Sequence, residues 1–142
     1  MNDKESLSEL AIINTSQIRK GVPEKATGQA KYTADLSLPN MLAGAILHSP
    51  YAHARILNID VSRAKKMRGV RAVLTAKDVS QVKFGHSPAR FDETALRLDK
   101  VNYIGDQVAA VAAIDEQTAK EALELIKVDY EELPVLLDPF QA

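Results

Sequence analysis

The chain has 142 residues, 46% hydrophobic and 26% charged, with a net charge of −1 from 18 lysines and arginines against 19 aspartates and glutamates. That length suits one domain and is short for two, and a chain of this size buries roughly 70% of the surface its unfolded form exposes, enough for a core without staples. The near-neutral balance gives no broad footprint for nucleic acid. The absence of cysteine excludes disulfides, thiol nucleophiles, Cys-type zinc sites and an iron–sulfur cluster ligated by this chain.

In chain order, residues 1–18 mix Ser, Glu, Leu and Ile without a clean period and read as an arm, with Leu7, Leu10 and Ile13 the one weak helical stripe. Residues 19–28, rich in Gly, Pro and charge, read as an extended or turning segment, followed by a short extended piece at 30–33. Pro39-Asn40 is a turn signal, and 41–47 is a largely buried strand that His48-Ser49-Pro50 ends. A second strand covers 55–60. Ser62 then supplies an N-cap and Gly69 a stop for a two-turn helix, before a third strand at 70–74. Thr75 or Asp78 opens a brief helical turn.

Residues 80–95 are irregular, and a loop of that length points to function, an interface or disorder. Strands at 98–103 and 107–114 follow across the turn Gly105-Asp106. The run Val108-Ala109-Ala110-Val111-Ala112-Ala113 has the small residues of a strand packed closely under helices. Asp115 caps a helix over 116–126, whose Ala119, Ala122, Leu123 and Ile126 share one face, and Glu116 and Lys120 lie one turn apart on the other. A last strand at 128–131 leads to an extended tail. Mixed order with two helices predicts an α+β domain with a mixed, largely antiparallel sheet.

The search for chemistry finds no dinucleotide fingerprint, P-loop, HExxH or nucleophile elbow. His48 and His53 are the one suggestive histidine pair, with His86 alone in the long loop. A metal site needs a further converging ligand; Asp35 and Asp60 are available, but nothing brings them together, and Pro50 breaks any helix that would align the histidines. Both read as hydrogen-bonding histidines at a turn. Asp129, Glu131 and Glu132 form a solvated face rather than a buried acid–base pair, and so does the basic run Arg63 to Arg68. Ser49 has no His/Asp partner and Ser62 is explained by capping. Tyr32, Tyr51, Tyr103 and Tyr130 are core or rim aromatics.

Three stretches carry a family resemblance. They are Arg19-Lys20-Gly21-Val22-Pro23-Glu24-Lys25-Ala26-Thr27-Gly28-Gln29-Ala30-Lys31-Tyr32-Thr33-Ala34-Asp35; Gly44-Ala45-Ile46-Leu47-His48-Ser49-Pro50-Tyr51-Ala52-His53-Ala54-Arg55-Ile56; and Val101-Asn102-Tyr103-Ile104-Gly105-Asp106-Gln107-Val108-Ala109-Ala110-Val111-Ala112-Ala113, continuing through the helix to Tyr130-Glu131-Glu132-Leu133-Pro134. In this order they resemble the α/β-hammerhead domain that opens the molybdenum-binding large subunit of the xanthine dehydrogenase/aldehyde oxidase family. The resemblance covers residues 19–139. The chain departs from the family's usual pattern at Gly21 (acidic in the family), His48 (Arg) and Gln107 (Pro); the last frees a backbone N–H that proline lacks.

The resemblance implies a structural and interface domain, 19–139, of a molybdenum-dependent hydroxylase or dehydrogenase, with 140–142 the start of a linker to a molybdopterin-binding region. Complete enzymes of the family use molybdopterin to hydroxylate aldehydes, purines or other heteroaromatics, passing electrons to iron–sulfur clusters and often FAD. In the family the molybdopterin-binding segments and the catalytic glutamate lie in the region after this domain, and the iron–sulfur clusters and FAD on other domains or subunits, so no catalytic, cofactor-binding or metal residue is carried over to this chain. The implied partners are the molybdopterin-binding domain of the same subunit and the iron–sulfur and FAD subunits or domains, with neither nucleic acid nor membrane. No stretch approaches the ~20 apolar residues of a membrane span, and the opening Met1-Asn2-Asp3-Lys4-Glu5 is not a signal peptide, so a cytoplasmic location is expected. The alternative, of a different class, is a free-standing protein-interaction or small-ligand module that reuses the fold.

Overall fold

The computed structural model describes residues 16, 18–85, 87 and 91–141, so most of the expected N-terminal arm, and His86, lie outside the described residues. The chain divides into two compact units, Met1–Leu38 and Pro39–Ala142.

In the first unit, the segment expected to be extended or turning contains a short helix, α1 (Val22–Ala26), with a proline in its first turn. Proline fits there because the first N–H groups of a helix have no intrahelical acceptor. Gly21 enters it at φ +80°, a left-handed conformation suited to glycine. Glu24 O then accepts from both Gln29 N (2.8 Å) and Ala30 N (2.9 Å) and closes the helix end. The expected extended piece at 30–33 is not a strand. Tyr32 is extended (φ −112°, ψ 166°), and a 3₁₀ turn, Thr33–Asp35, follows it, held by Asp35 Oδ2 accepting from Tyr32 N at 3.0 Å.

The second unit is the α+β domain, with strands β1 (Ala43–His48), β2 (Ala54–Asp60), β3 (Val70–Thr75), β4 (Lys100–Val101), β5 (Gln107–Ala113) and β6 (Lys127–Glu132). The single expected sheet is in fact two, each three-stranded and antiparallel, in the orders β1-β5-β3 and β4-β2-β6. With α1, the helices number three among the described residues, where two were expected. The sheets separate because the turn after β1 carries the chain away from it. Ser49 N donates to Asp106 O (2.8 Å) and Gly105 N to Ser49 O (2.9 Å), which fixes that turn against the β4–β5 connection.

The core lies between the β1-β5-β3 sheet and two helices, α2 (Ser62–Lys66) and α3 (Glu116–Glu124). Ala109, Val111 and Ala113 of β5 pack with Val73, with Ala64 of α2 and with Ala119 and Ala122 of α3. Alanine at these positions lets helix and sheet approach closely, as the run of small residues predicts. A smaller cluster, Ala54, Val101 and Val108 with Tyr51 and Tyr130 against it, fills the β4-β2-β6 side, and Ile59 and Val128 touch both clusters.

Local signals decide most of the ends. Asp115 caps α3 as expected, Oδ1 accepting from Thr118 N at 2.7 Å. The helix stops at Glu124 rather than 126, because Leu125 N and Ile126 N turn to the nearer carbonyls of Ala122 and Leu123 in a tightened last turn. At α2 the expected cap is corrected: Asp60, not Ser62, does the work, its Oδ1 accepting from Ser62 N at 2.9 Å. The strand expected at 98–103 shrinks to Lys100–Val101, since Asn102 N is drawn to the side chain of Asp106 (2.9 Å) instead of a neighbouring strand. The expected helical opening after β3 is a hydrogen-bonded turn, with Asp78 Oδ2 accepting from Thr75 N (2.7 Å) and Oγ1 (2.8 Å). Within the long loop, Phe84 and Glu93 form an isolated antiparallel bridge.

Candidate functional site

The histidines singled out in the sequence are both structural fasteners. His48 Nδ1 lies 2.6 Å from Gly105 O, and His53 Nδ1 2.7 Å from Pro134 O. A carbonyl only accepts, so each ring carries its proton on Nδ1. The two bonds run to different segments, and among the described residues no third ligand joins them. Asp60 is occupied at α2 and Asp35 belongs to the first unit. Among the described residues no group of three His, Cys, Asp or Glu is placed to hold a metal ion.

The remaining candidates are turn, packing or surface residues. Ser49 is buried, its Oγ donating to Tyr51 O (3.1 Å) and accepting from Tyr51 N (3.0 Å), so it is a turn residue. Tyr130 packs on Tyr51 at 5.0 Å between ring centroids, and burial pushes its phenol above the ordinary tyrosine pKa. On the exposed face of β2 and β6, Arg55 pairs with Glu131 (2.7 Å) and Asn58 donates to Asp129 (3.2 Å), the solvated pattern expected. Arg63, Lys65, Lys66 and Arg68 are exposed around the buried Ala64.

The constellation that sequence reasoning missed is built on Arg97 and Asp106. Asp106 is 2% exposed; its Oδ1 accepts from Arg97 Nε at 2.7 Å and its Oδ2 from Asn102 N at 2.9 Å. Arg97 N donates to Gln107 O (2.8 Å), and the guanidinium stands 6.0 Å over the ring of Tyr103. Burial opposes the guanidinium's charge, but the hydrogen bond and charge of Asp106, with those of Tyr103, outweigh it and raise the Arg97 pKa. Together with His48 and Ser49 these bonds fix the turn 102–105, which carries the exposed side chains of Tyr103 and Ile104. Gly105-Asp106 is legible as a turn, but no spacing rule ties a turn aspartate to an arginine in the preceding segment.

Chemically this arrangement positions backbone. It holds no nucleophile beside a base and no carboxylate pair. A groove of about 190 Å³ between β2 and the turn after β3, lined by Ile56, Ile59, Thr75, Lys77 and Asp99 among others, likewise contains no histidine or serine. Two of the three departures from the family pattern meet here: His48 and Gln107 are cross-strand partners at the bulge where β1 leaves β5.

Fold and site thus define an α+β domain of two small antiparallel sheets whose polar side chains fasten its own turns. A profile of the family described as aldehyde oxidase and xanthine dehydrogenase, a/b hammerhead domain, matches residues 27–134. The chain is 47% identical over 133 residues to a probable xanthine dehydrogenase subunit of Bacillus subtilis, covering 92% of this chain and 18% of that one. It is 45% identical over 117 residues to the carbon monoxide dehydrogenase large chain of Afipia carboxidovorans, covering 81% of this chain and 14% of that one. Among solved structures, the Cu,Mo-CO dehydrogenase in its carbon monoxide reduced state superposes with a TM-score of 0.76 at 39% identity, over 88% of this chain and 16% of that one.

The chain therefore belongs to the aldehyde oxidase/xanthine dehydrogenase family as its α/β-hammerhead domain, a domain of that family's molybdenum-binding large subunit. It spans between 14% and 18% of the length of these relatives. Among the described residues, no helix is long and apolar enough to cross a membrane.

Proposed function

We propose that this chain is a scaffolding and interface domain of a molybdenum-dependent hydroxylase or dehydrogenase, and that the chemistry resides outside it. In this reading residues 19–139 are the working domain, 1–18 an arm and 140–142 the start of a linker. The partners are the molybdopterin-bearing region and, beyond it, iron–sulfur and FAD domains or subunits in the cytoplasm.

One observation carries the reading. His48, Ser49, His53, Asp60, Arg97 and Asp106 spend polar atoms on internal bonds, while large apolar side chains stand in solvent: Ile104 is 70% exposed and Leu137 88%. A domain that satisfies its polar groups and leaves apolar ones outside is shaped to be packed against. In this reading no residue of the chain is assigned to the family's cofactor: the chain has no cysteine, and His48 and His53 are engaged through Nδ1 with backbone carbonyls. No catalytic step is assigned to these residues.

The test is to purify the chain by itself and assay it for molybdenum and for oxidation of xanthine and aldehydes with an artificial electron acceptor. The expected outcome is a folded protein with neither. Stoichiometric molybdenum or turnover by the chain alone overturns the proposal.

A further inference from the structure

The β1-β5-β3 sheet has two faces, and the core accounts for one of them. Side chains alternate along a strand, and cross-strand partners share a face. The rows Ala45–Val111–Val73 and Leu47–Ala109–Thr75 face the helices. The alternate rows, Gly44–Ala112–Ala72 and Ile46–Ala110–Leu74, face the other way. All six residues are apolar, and Ile46 and Leu74 are 42% and 40% exposed. An antiparallel sheet with one wet face alternates apolar with polar residues, whereas apolar residues on both sides belong to a sheet covered on both sides.

Gly44 shows how close the missing layer comes. Its φ lies outside the left-handed region, and a Cβ built on it would meet nothing nearer than Val111 O at 3.9 Å, an ordinary contact. Neither backbone conformation nor packing among the described residues of the second unit calls for glycine there. Glycine inside a strand weakens it and marks places where another backbone approaches closely. Ala72 and Ala112 extend the same row, so the surface is a shallow trough bordered by Ile46 and Leu74. The six positions carry no charge, which disfavours nucleic acid or an anionic surface as the occupant. What fits is a polypeptide layer with bulky apolar side chains, and these relatives have more than four-fifths of their length beyond the part this chain matches.

We propose that this bare sheet face seats an apolar segment from the remainder of the large subunit, pressed against Gly44 and Ala112. The inference rests on the domain reading above and names the surface it uses. It makes Gly44 a residue kept for assembly at some cost to the isolated strand.

The experiment compares the 142-residue chain alone with a full-length large subunit, that of the Bacillus subtilis relative with its hammerhead region replaced by this chain. In the isolated chain, Gly44→Val should leave Tm unchanged or raised, because valine suits a strand and finds open space. Ala112→Cys, which introduces the sole thiol in the chain, should react readily with a maleimide. In the full-length subunit, Gly44→Val and Ala112→Lys should lower the yield of assembled protein roughly tenfold or more, since one fills the trough and the other buries an unpaired charge. Wild-type assembly with both variants equally competent overturns the surface while leaving the domain reading intact. Failure of the wild-type chimera to assemble overturns the domain reading and the surface with it. If the thiol of the Ala112→Cys variant resists labelling in a monomeric chain, the face is covered by this chain's own residues. A dimer that Gly44→Val dissociates assigns it to a second copy. Either result also overturns the proposal.

Discussion

Arg97 Nε and Asp106 Oδ1 meet at 2.7 Å with only 12% and 3% of their side-chain surfaces exposed, so the pair joining the segment before β4 to the start of β5 is nearly dry. Burying two charges is repaid only when both are paired and hydrogen-bonded, and removing one partner leaves the other stranded. Asp106→Ala is expected to cost about 3–5 kcal/mol by urea unfolding, the cost typical of an uncompensated buried charge. Arg97→Met should cost less, because Asp106 retains the Asn102 N–H. The double variant should lose clearly less than the two losses added. Strict additivity would show that the pair is not coupled.

Two glycines share a left-handed backbone but differ in their surroundings. Gly69 at φ +93° would press a Cβ within 3.0 Å of Thr118 Cγ2 and 3.1 Å of Ile114 Cδ1, whereas Gly105 at φ +94° has open space. Gly105→Ala should therefore lose about 1–2 kcal/mol, the left-handed penalty alone. Gly69→Ala should lose more, because α3 and the end of β5 must also give way. Equal losses from the two in chemical denaturation would remove packing from the account.

Acid should unfold the protein through its turn and cap carboxylates. Backbone hydrogen bonds from Ser62, Thr75 and Thr118 hold Asp60, Asp78 and Asp115 below the usual aspartate pKa, and the hydrogen bond from Lys120 does the same for Glu116. A group with a depressed folded pKa stabilises the fold above its unfolded pKa and loses that contribution as pH falls through the folded value. Tm should thus be nearly flat from neutral pH down to about 5 and fall below about 4, where free carboxyls begin to protonate. Asp115→Asn keeps a cap without the charge, so its Tm should lie below wild type at pH 7 and converge on it in acid. A gap that widened in acid would reverse the sign of the argument.

His53 ties down the C-terminal tail. Its ring bonds Pro134 O and its own carbonyl accepts from Leu133 N at 2.9 Å. His53→Ala should speed amide exchange and proteolysis at residues 133–141 while moving Tm little, because the ring sits outside both core clusters. A large Tm loss with an unchanged tail would make His53 a core residue instead.

Some of this protein is written locally. The α3 helix is legible because its signals are neighbours in sequence: Asp115 at the cap, Ala119 and Ala122 on one face, Glu116 one turn before Lys120. The small-residue run of β5 announces close packing, which α3 bears out on one face. Locality also misleads. Ser62 looks like a cap because serine is a good one, yet its own backbone N–H is the donor and Asp60, at the end of a strand, supplies the accepting oxygen. Residues 98–103 look like a full strand because nothing nearby reveals that Asp106 claims Asn102 N.

The sequence by itself determined the α+β class, the family and the order of the helices and strands that form the domain's core, since each depends on period, caps or contiguous motifs. Tertiary structure alone decided that β1 and β2, adjacent in the chain, enter different sheets, because β1 pairs with a strand some sixty residues away. It alone brought Arg97 onto Asp106 and placed His48 opposite Gln107, and it alone put Gly44 on the sheet face turned away from the helices. Such relationships follow from strand pairing across the fold, and pairing across the fold leaves no trace in the spacing of residues along the chain.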